Sequence, residues 1–203
     1  MEPGRLMTKK ISDQSDHKEA EGASFDELLR QNIGMVKFTA VFFGLLWLFS
    51  YAYGALFLDS TWFERYVNFG ATLVSHVLSA SGETIELARL DDGTLGELRT
   101  HDNASVYFDA NTDGLTIMFT LLAAMLAWPG GLLKKLISIL LGLTTIFALN
   151  IFRVAAMLKV NVYWPLQMNL LNDWILPAVL VCSAALVFFI WIKISGRHPL
   201  QSH

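Results

Sequence analysis

The sequence predicts an all-α integral membrane protein with about four transmembrane helices, and the composition and the long apolar runs are the observations behind this prediction. Of the 203 residues, 54% are hydrophobic and only 16% are charged, which is too apolar for an ordinary soluble domain of this length. The apolar residues are concentrated in long runs. A net charge of −3 without a basic patch gives no indication of nucleic-acid binding.

Four apolar runs have the length that a bilayer core requires, about 20 residues in a helix. They cover residues 36–58, 114–133, 136–153 and 174–194. Basic residues mark one end of these runs: Lys37 at the start of the first, Lys134 and Lys135 between the second and third, and Lys193 near the end of the fourth. The positive-inside rule therefore places both termini in the cytoplasm, and we expect a multi-pass protein of a bacterial inner (plasma) membrane.

This topology divides the chain into five segments. Residues 1–24 are polar and of mixed charge, which predicts a disordered cytoplasmic tail. Residues 25–58 hold a helix, which Ser24 and Glu27 would begin as a capping box, and the first span. Residues 59–113 are extracytoplasmic, 114–194 contain a helical hairpin, an interfacial segment and the last span, and 195–203 form a cytoplasmic tail. The sequence leaves open whether residues 154–171 extend the third helix or lie along the outer interface.

The extracytoplasmic segment contains an amphipathic helix and a small β-hairpin. Apolar residues recur at near-helical spacing over 62–79, which predicts a helix that is partly interfacial. Residues 84–90 alternate as a strand does, residues 91–93 read Asp-Asp-Gly and signal a hairpin turn, and residues 106–108 are a second strand candidate.

The helical hairpin of residues 111–159 carries polar residues at its outer ends. A Pro-Gly-Gly turn joins its two apolar runs, so the fold should bring Thr112 and Asp113 to the same membrane face as Asn150 and Arg153. On most scales, placing a charge in or near hydrocarbon costs roughly several kcal/mol of free energy. This cost favours a functional role for Arg153.

The stretches ATLVSHVLSASG, VYFDANTDGL and NIFRV occur in this order within residues 68–194, and the most specific pieces are the turn before Leu115 and the motif from Asn150 to Arg153. This order of parts resembles that of the exosortase/archaeosortase family of membrane enzymes. Members of that family process proteins that bear a C-terminal sorting signal made of a short motif, a transmembrane helix and a basic tail. In the family, a cysteine in a Cys-x-Gly turn opens the second span, Asn-x-x-Arg ends the third, and a histidine precedes the last.

This chain keeps part of that pattern and departs from it at two places. Gly114, Asn150 and Arg153 match the family's glycine, asparagine and arginine, whereas Thr112 stands in the position of the cysteine. The position of the histidine falls at Asn169, or a few residues later at Asn172. The candidate catalytic residues are Thr112, Asp113, Arg153 and Asn169, and the candidate binding residues are Asn150, Gly114 and Asn172. We predict no metal site and no cofactor.

The two departures decide which function is expected. A threonine hydroxyl needs a general base, which Asn169 cannot be, although Asp113 could be one. We therefore expect an exosortase-like receptor for a transmembrane sorting helix, with cysteine catalysis lost and Arg153 holding a carboxylate. One alternative is an active protease or transpeptidase that uses Thr112, Asp113 and Arg153. A second is an unrelated four-span subunit of a membrane biogenesis or transport complex. The expected partners are membrane lipid, a transmembrane helix and a membrane complex.

Structural roles compete with these functional ones. Arg153 could extend to the headgroups or pair with Asp113. Thr112 and Asp113 could cap the second span, and Asn150 could form a hydrogen bond between helices.

Overall fold

The computed structural model describes residues 33–89, 95–101 and 104–195, which form five principal helices and a small sheet. The tail of residues 1–24, the capping box of Ser24 and Glu27, the hairpin turn of residues 91–93 and the tail after Ser195 lie outside the described residues. Helices dominate the described part of the chain, as predicted.

The first two helices meet at a short turn. Helix α1 covers Ile33–Ala52 and continues as the π-helical turn Tyr53–Phe57. Helix α2, Thr61–Ala80, matches the amphipathic helix predicted for residues 62–79. It begins at Ser60 because the Ser60 hydroxyl accepts a hydrogen bond from the backbone N–H of Phe63 at 3.3 Å.

Three antiparallel strands follow α2 in the order β1-β2-β3. Strand β1 is Ile85–Arg89, β2 is Leu95–Thr100 and β3 is Ser105–Tyr107. Both predicted strands are present, as β1 and β3, but β2, which lies between them and pairs with each, was not predicted. Strand β2 lacks the alternation of large apolar residues that predicts a strand. Leu98 is the one large apolar side chain of β2 that the structure describes in the core, and the residues two positions away, Gly96 and Thr100, are small.

The remaining helices form the apolar bundle. Helix α3 is Leu115–Ala127, α4 is Leu132–Tyr163 and α5 is Leu176–Ser195. Residues 154–163 continue α4, so the structure decides between the two alternatives for that part of the chain. Between α4 and α5 the chain makes short 3-10, α and π turns at Pro165–Gln167, Met168–Leu170 and Leu171–Ile175.

Within the described residues, three stretches are long and apolar enough to cross a membrane: Ile33–Phe57, Leu132–Tyr163 and Pro165–Ser195. The structure thus supports membrane association with three of the four predicted spans. Helix α3 has 13 residues. At 1.5 Å per residue it is about 20 Å long, against a hydrocarbon core of about 30 Å. It ends at Trp128 because Pro129 follows and disfavours helical geometry in the preceding residue.

Two apolar cores hold the helices together. Helices α3, α4 and α5 form the bundle core, whose buried residues are Leu121, Met125, Trp128, Ile139, Ile146 and Trp191. At the far end of the bundle, opposite the Lys134–Lys135 turn, α2 and the sheet cover the last part of α4. The buried residues of this far core are Val67, Ala71, Val74, Leu78, Leu98, Val106, Phe108, Ile151, Val154, Ala155, Met157 and Leu158. Helix α1 packs on α3 and has no buried residue.

Candidate functional site

The turn of residues 109–114 enters α3 at the far end of the bundle, and its own side chains shape it. The Asp109 Oδ1 atom accepts hydrogen bonds from the backbone N–H groups of Asn111 (2.9 Å) and Thr112 (3.2 Å). The Thr112 hydroxyl donates to the carbonyl oxygen of Tyr107 at 2.7 Å and accepts from the backbone N–H of Asp109 at 2.9 Å. The Thr112 hydroxyl therefore stabilises the turn.

Asp113 is a buried carboxylate that joins three helices. Only 2% of the residue is exposed. Its Oδ1 atom accepts from the backbone N–H of Leu115 at 2.9 Å, and so caps the start of α3. The Tyr53 hydroxyl of the π turn donates to Oδ2 at 2.6 Å, and the Tyr66 hydroxyl of α2 donates to the Asp113 carbonyl oxygen at 2.7 Å.

The environment of Asp113 raises the pKa of its carboxyl group. Burial raises the pKa of the Asp113 carboxyl, because charge is disfavoured away from water. The hydrogen bonds from Tyr53 and from the Leu115 N–H, together with the positive charge of Arg153, oppose this rise in pKa. Burial and the nearby Asp113 charge also raise the pKa of the Tyr66 hydroxyl, which therefore stays a hydrogen-bond donor.

Gly114 and Asn150 fit against each other at the start of α3. Gly114 has φ of 74°, a left-handed conformation, and a Cβ at this position would lie 2.7 Å from Asn150 Cγ. Asn150 is fully buried, and its Nδ2 donates to the carbonyl oxygen of Thr112 at 2.8 Å. Its Oδ1 has no hydrogen-bond partner in the described part of the chain. Asn150 thus forms a hydrogen bond that links α4 to the turn before α3.

These contacts define a polar junction at which α1, α2, α3 and α4 meet. We use this name for the following residues: Tyr53, Tyr66, Thr112, Asp113, Gly114 and Asn150.

Arg153 lies one helical turn beyond Asn150 on α4 and is partly buried. Its Nε is buried and has no hydrogen-bond partner among the described residues. Its charge interacts favourably with that of Asp113, but the two do not form an ion pair within 4.0 Å. The ion pair between Asp113 and Arg153, one of the alternative structural roles, is therefore not formed.

Asn169 and Asn172 lie in the short turns between α4 and α5. Asn169 is exposed, and the Asn172 Nδ2 donates to Asp173 Oδ1 at 3.1 Å. No hydrogen bond within the described ranges connects either asparagine to Thr112, Asp113 or Arg153. The structure thus gathers only part of the candidate set. The residues brought together are Thr112, Asp113, Gly114 and Asn150, with Arg153 one turn away.

Three residues of this region were missed in the sequence. The hydroxyl groups of Tyr53 and Tyr66 donate hydrogen bonds to Asp113. A buried tyrosine usually has a hydrogen-bond partner for its hydroxyl, and this tendency is the one indication that the sequence contained. Asp109 stands three residues before Thr112, and aspartate at the first position of a turn often accepts from the following backbone N–H groups.

No group of three or more potential metal-ligating side chains occurs among the residues that the structure describes. Comparison of the chain with known protein families, with curated proteins and with solved structures finds no match. The resemblance to the exosortase/archaeosortase family therefore stays a prediction.

Proposed function

We propose that this chain is an exosortase-like protein of a bacterial inner membrane that binds the transmembrane sorting helix of exported proteins near the outer membrane face, with cysteine catalysis lost. Arg153 is the observation that carries this proposal. It is a partly buried cation with an unused Nε donor, while the neighbouring carboxylate of Asp113 is occupied by Tyr53 and Leu115.

The depth of Arg153 suits such a role. If Lys135 marks the cytoplasmic boundary, Arg153 lies 18 residues further along α4, or about 27 Å at 1.5 Å per residue. A hydrocarbon core is about 30 Å thick, so the guanidinium would lie just inside the outer boundary. An unpaired charge there is costly, which favours a partner that supplies an acceptor.

The chemistry of guanidinium suggests the kind of acceptor. Arginine binds carboxylates and carbonyl oxygens through charge-assisted hydrogen bonds, which are stronger where water is scarce. A ligand at this depth must come from the headgroup region or from the end of another membrane helix. We propose the second, with the acceptor on the outer flank of the bound helix.

The topology that goes with this proposal has four spans and cytoplasmic termini. Helix α3 would be the remaining span, the second in chain order. It is short because the polar junction ends it on one side and the Pro129 turn on the other. It packs against α1, α4 and α5, which suits a helix inside the membrane bundle. Lys135 Nζ donates to the carbonyl oxygen of Leu126 at 3.0 Å and so covers the end of α3 at the cytoplasmic turn.

Thr112 and Asp113 support a binding role better than a catalytic one. The Thr112 hydroxyl donates its proton to a backbone carbonyl, and the Asp113 carboxylate faces Tyr53 instead of that hydroxyl. A nucleophilic hydroxyl needs a base within hydrogen-bond reach. An enzyme remains the second candidate because Thr112 Oγ1 also lies 3.2 Å from Asp109 Oδ1, a carboxylate that could accept the proton.

Co-expression with a test protein that ends in a single transmembrane helix and a basic tail separates the two candidates. Co-purification should fall at least tenfold for Arg153→Ala and partly recover for Arg153→Lys. Lys159→Ala, which removes a cation from the same helix, should leave it unchanged. Equal co-purification by the Arg153→Ala and Lys159→Ala proteins would reject Arg153 as the contact.

Cleavage of the test protein reports on chemistry in the same experiment. We expect none. Cleavage that Thr112→Ala abolishes and Thr112→Ser preserves would establish the enzyme instead.

A further inference from the structure

We infer that residues 13–27 bind to the lysines at the end of the bundle that carries the Lys134–Lys135 turn. We call this end the basic end and residues 13–27 the acidic segment. The acidic segment lies outside the described residues, and its last residue, Glu27, precedes the start of α1 at Ile33 by six residues. The inference does not rest on the proposed sorting-helix partner, so either can fail without the other.

Four lysines from three helices meet at the basic end. The Phe38 ring, next to Lys37, lies 5.5 Å from the ring of Trp128, which ends α3 just before the turn. Trp128 Nε1 donates a hydrogen bond to Ser195 Oγ, two residues after Lys193, at 3.2 Å. The starts of α1 and α4 and the end of α5 therefore lie together. The four lysines are Lys37 of α1, Lys134 and Lys135 of α4, and Lys193 of α5.

The described residues place no carboxylate at the basic end. Their aspartates and glutamates lie in α2, in the sheet or in the turns at the opposite end of the bundle. They are Asp59, Glu64, Glu83, Glu86, Glu97, Asp109, Asp113 and Asp173. Lys37, Lys134 and Lys193 are exposed, and none forms an ion pair within 4.0 Å with a described residue. The lysines therefore repel each other unless an anion from elsewhere is present.

The acidic segment has the opposite charge. It contains six carboxylates and one ammonium group, which gives a net charge of −5 against +4 at the basic end. Its charged residues are Asp13, Asp16, Lys18, Glu19, Glu21, Asp26 and Glu27. Segments with such an excess of one charge are often interaction tails. Pairing of the acidic segment with the basic end would nearly cancel both charges.

The chain is long enough for this contact. Six extended residues span about 20 Å, and neighbouring helices lie about 8–10 Å apart, so Glu27 can reach the helices next to α1. Asp13 is 14 residues earlier and can reach about 50 Å further. Carboxylates do not cross hydrocarbon readily, so the acidic segment stays on the side of the membrane where α1 begins. A short tether of this kind gives an effective concentration in the millimolar range.

Anionic lipid is the competing occupant, because its phosphate also attracts exposed lysines. The acidic segment fits the basic end better for an electrostatic reason. Lipid bound to the lysines would leave a segment of net charge −5 beside a negative surface and so add repulsion. Pairing of the segment with the lysines removes that repulsion. The segment is also tethered to the site in every membrane, whatever its lipid composition.

Cross-linking with a carbodiimide, which joins a carboxylate to a neighbouring lysine as an amide, tests this inference. The full chain is reconstituted in phosphatidylcholine nanodiscs, cross-linked, digested and analysed by mass spectrometry. We expect amides between the acidic segment and Lys37, Lys134 or Lys193. Their yield should fall about fivefold or more between about 0.1 M and about 1 M sodium chloride, because the Debye length falls from about 10 Å to about 3 Å.

An exchange of charges shows whether the contact depends on charge. Lys134→Glu combined with Lys193→Glu removes the net charge of the basic end, so the links to Lys37 should fall several-fold. Adding Asp26→Lys and Glu27→Lys should produce new links between positions 26 or 27 and positions 134 or 193. The control is Lys159→Glu, which changes a lysine on the later part of α4 and should leave the original links unchanged. Variants are compared only where their thermal unfolding matches that of wild type.

Three results would overturn the inference. Links confined to Lys9, Lys10 and Lys18 would mean that the segment pairs with its own cations. Links to the basic end that neither salt nor the charge exchange alters would mean proximity without charge pairing. Lysines that form no link in phosphatidylcholine, but that phosphatidylglycerol protects from acetylation, would identify lipid as the occupant.

Discussion

Replacing Gly114 by alanine should disrupt the polar junction in a way that can be worked out from its geometry. The left-handed φ of 74° is strained for a residue with a Cβ by about 1–2 kcal/mol. The new methyl would also lie 2.7 Å from Asn150 Cγ, so the buried amide must move away from the Thr112 carbonyl. Leaving such a buried partner unpaired costs about 1–3 kcal/mol. Together these effects predict a loss of about 2–5 kcal/mol in the free energy of unfolding.

Gly82 offers a matched control. Its φ is 90°, also left-handed, but nothing lies within 4 Å of the Cβ that alanine would add. Gly82→Ala should therefore lose only the backbone strain, about 1–2 kcal/mol. The difference between the two variants isolates the contact with Asn150.

The assay is reversible unfolding in detergent micelles, titrated with sodium dodecyl sulfate and followed by circular dichroism. In an Asn150→Ala background the overlap is absent, so Gly114→Ala should cost no more than Gly82→Ala does. Equal losses for the two glycine variants in the wild-type background would refute the reasoning. An undiminished Gly114→Ala loss in the Asn150→Ala background would refute it as well.

Three further predictions concern the same junction. Because the pKa of Asp113 is raised above 3.8 in the folded protein, its contribution to stability is fully present below its unfolded pKa and is lost as pH rises through the raised value. Unfolding titrations from pH 4 upward should show wild type losing stability relative to Asp113→Asn, and a gap that does not change with pH would contradict this. Tyr53→Phe should lower the unfolding free energy by about 1.5–3 kcal/mol, the usual worth of a hydrogen bond to a charged group, whereas the exposed Tyr51→Phe should not change it. Thr112→Val should destabilise the turn by about 1–2 kcal/mol and Thr112→Ser should not, as judged from the same titrations; equal losses would show that the hydroxyl bonds contribute nothing.

Local patterns predicted the helices well, because the signals that begin and end them are close in sequence. The 3.6-residue period of apolar residues marks α2, and the Pro-Gly-Gly turn after Trp128 separates α3 from α4. The approach of Asn150 to Gly114 also follows from a hairpin folded at that turn. The length of one helix differs from expectation, since α3 is shorter than a span, while the continuation of α4 to Tyr163 is one of the two alternatives that the sequence left open.

The partners of Asp113 could not be predicted by such patterns. Tyr53 and Tyr66 precede it by 60 and 47 residues, and nothing in either local stretch indicates which polar group each hydroxyl will meet. The placement of Asn169 and Asn172 failed for a similar reason. The chain between α4 and α5 makes three short turns of different kinds, and the positions of these two asparagines depend on those turns.

The polar junction also has a consequence for the order in which the protein assembles. Tyr53 is synthesised long before Asp113, and the turn is completed only when Asn150, 38 residues after Thr112, has been made. A nascent chain in which only α1 and α2 have been synthesised still has two tyrosine hydroxyls that lack their acceptor, Asp113. Truncated chains that stop before Asn150 should therefore lack a completed polar junction.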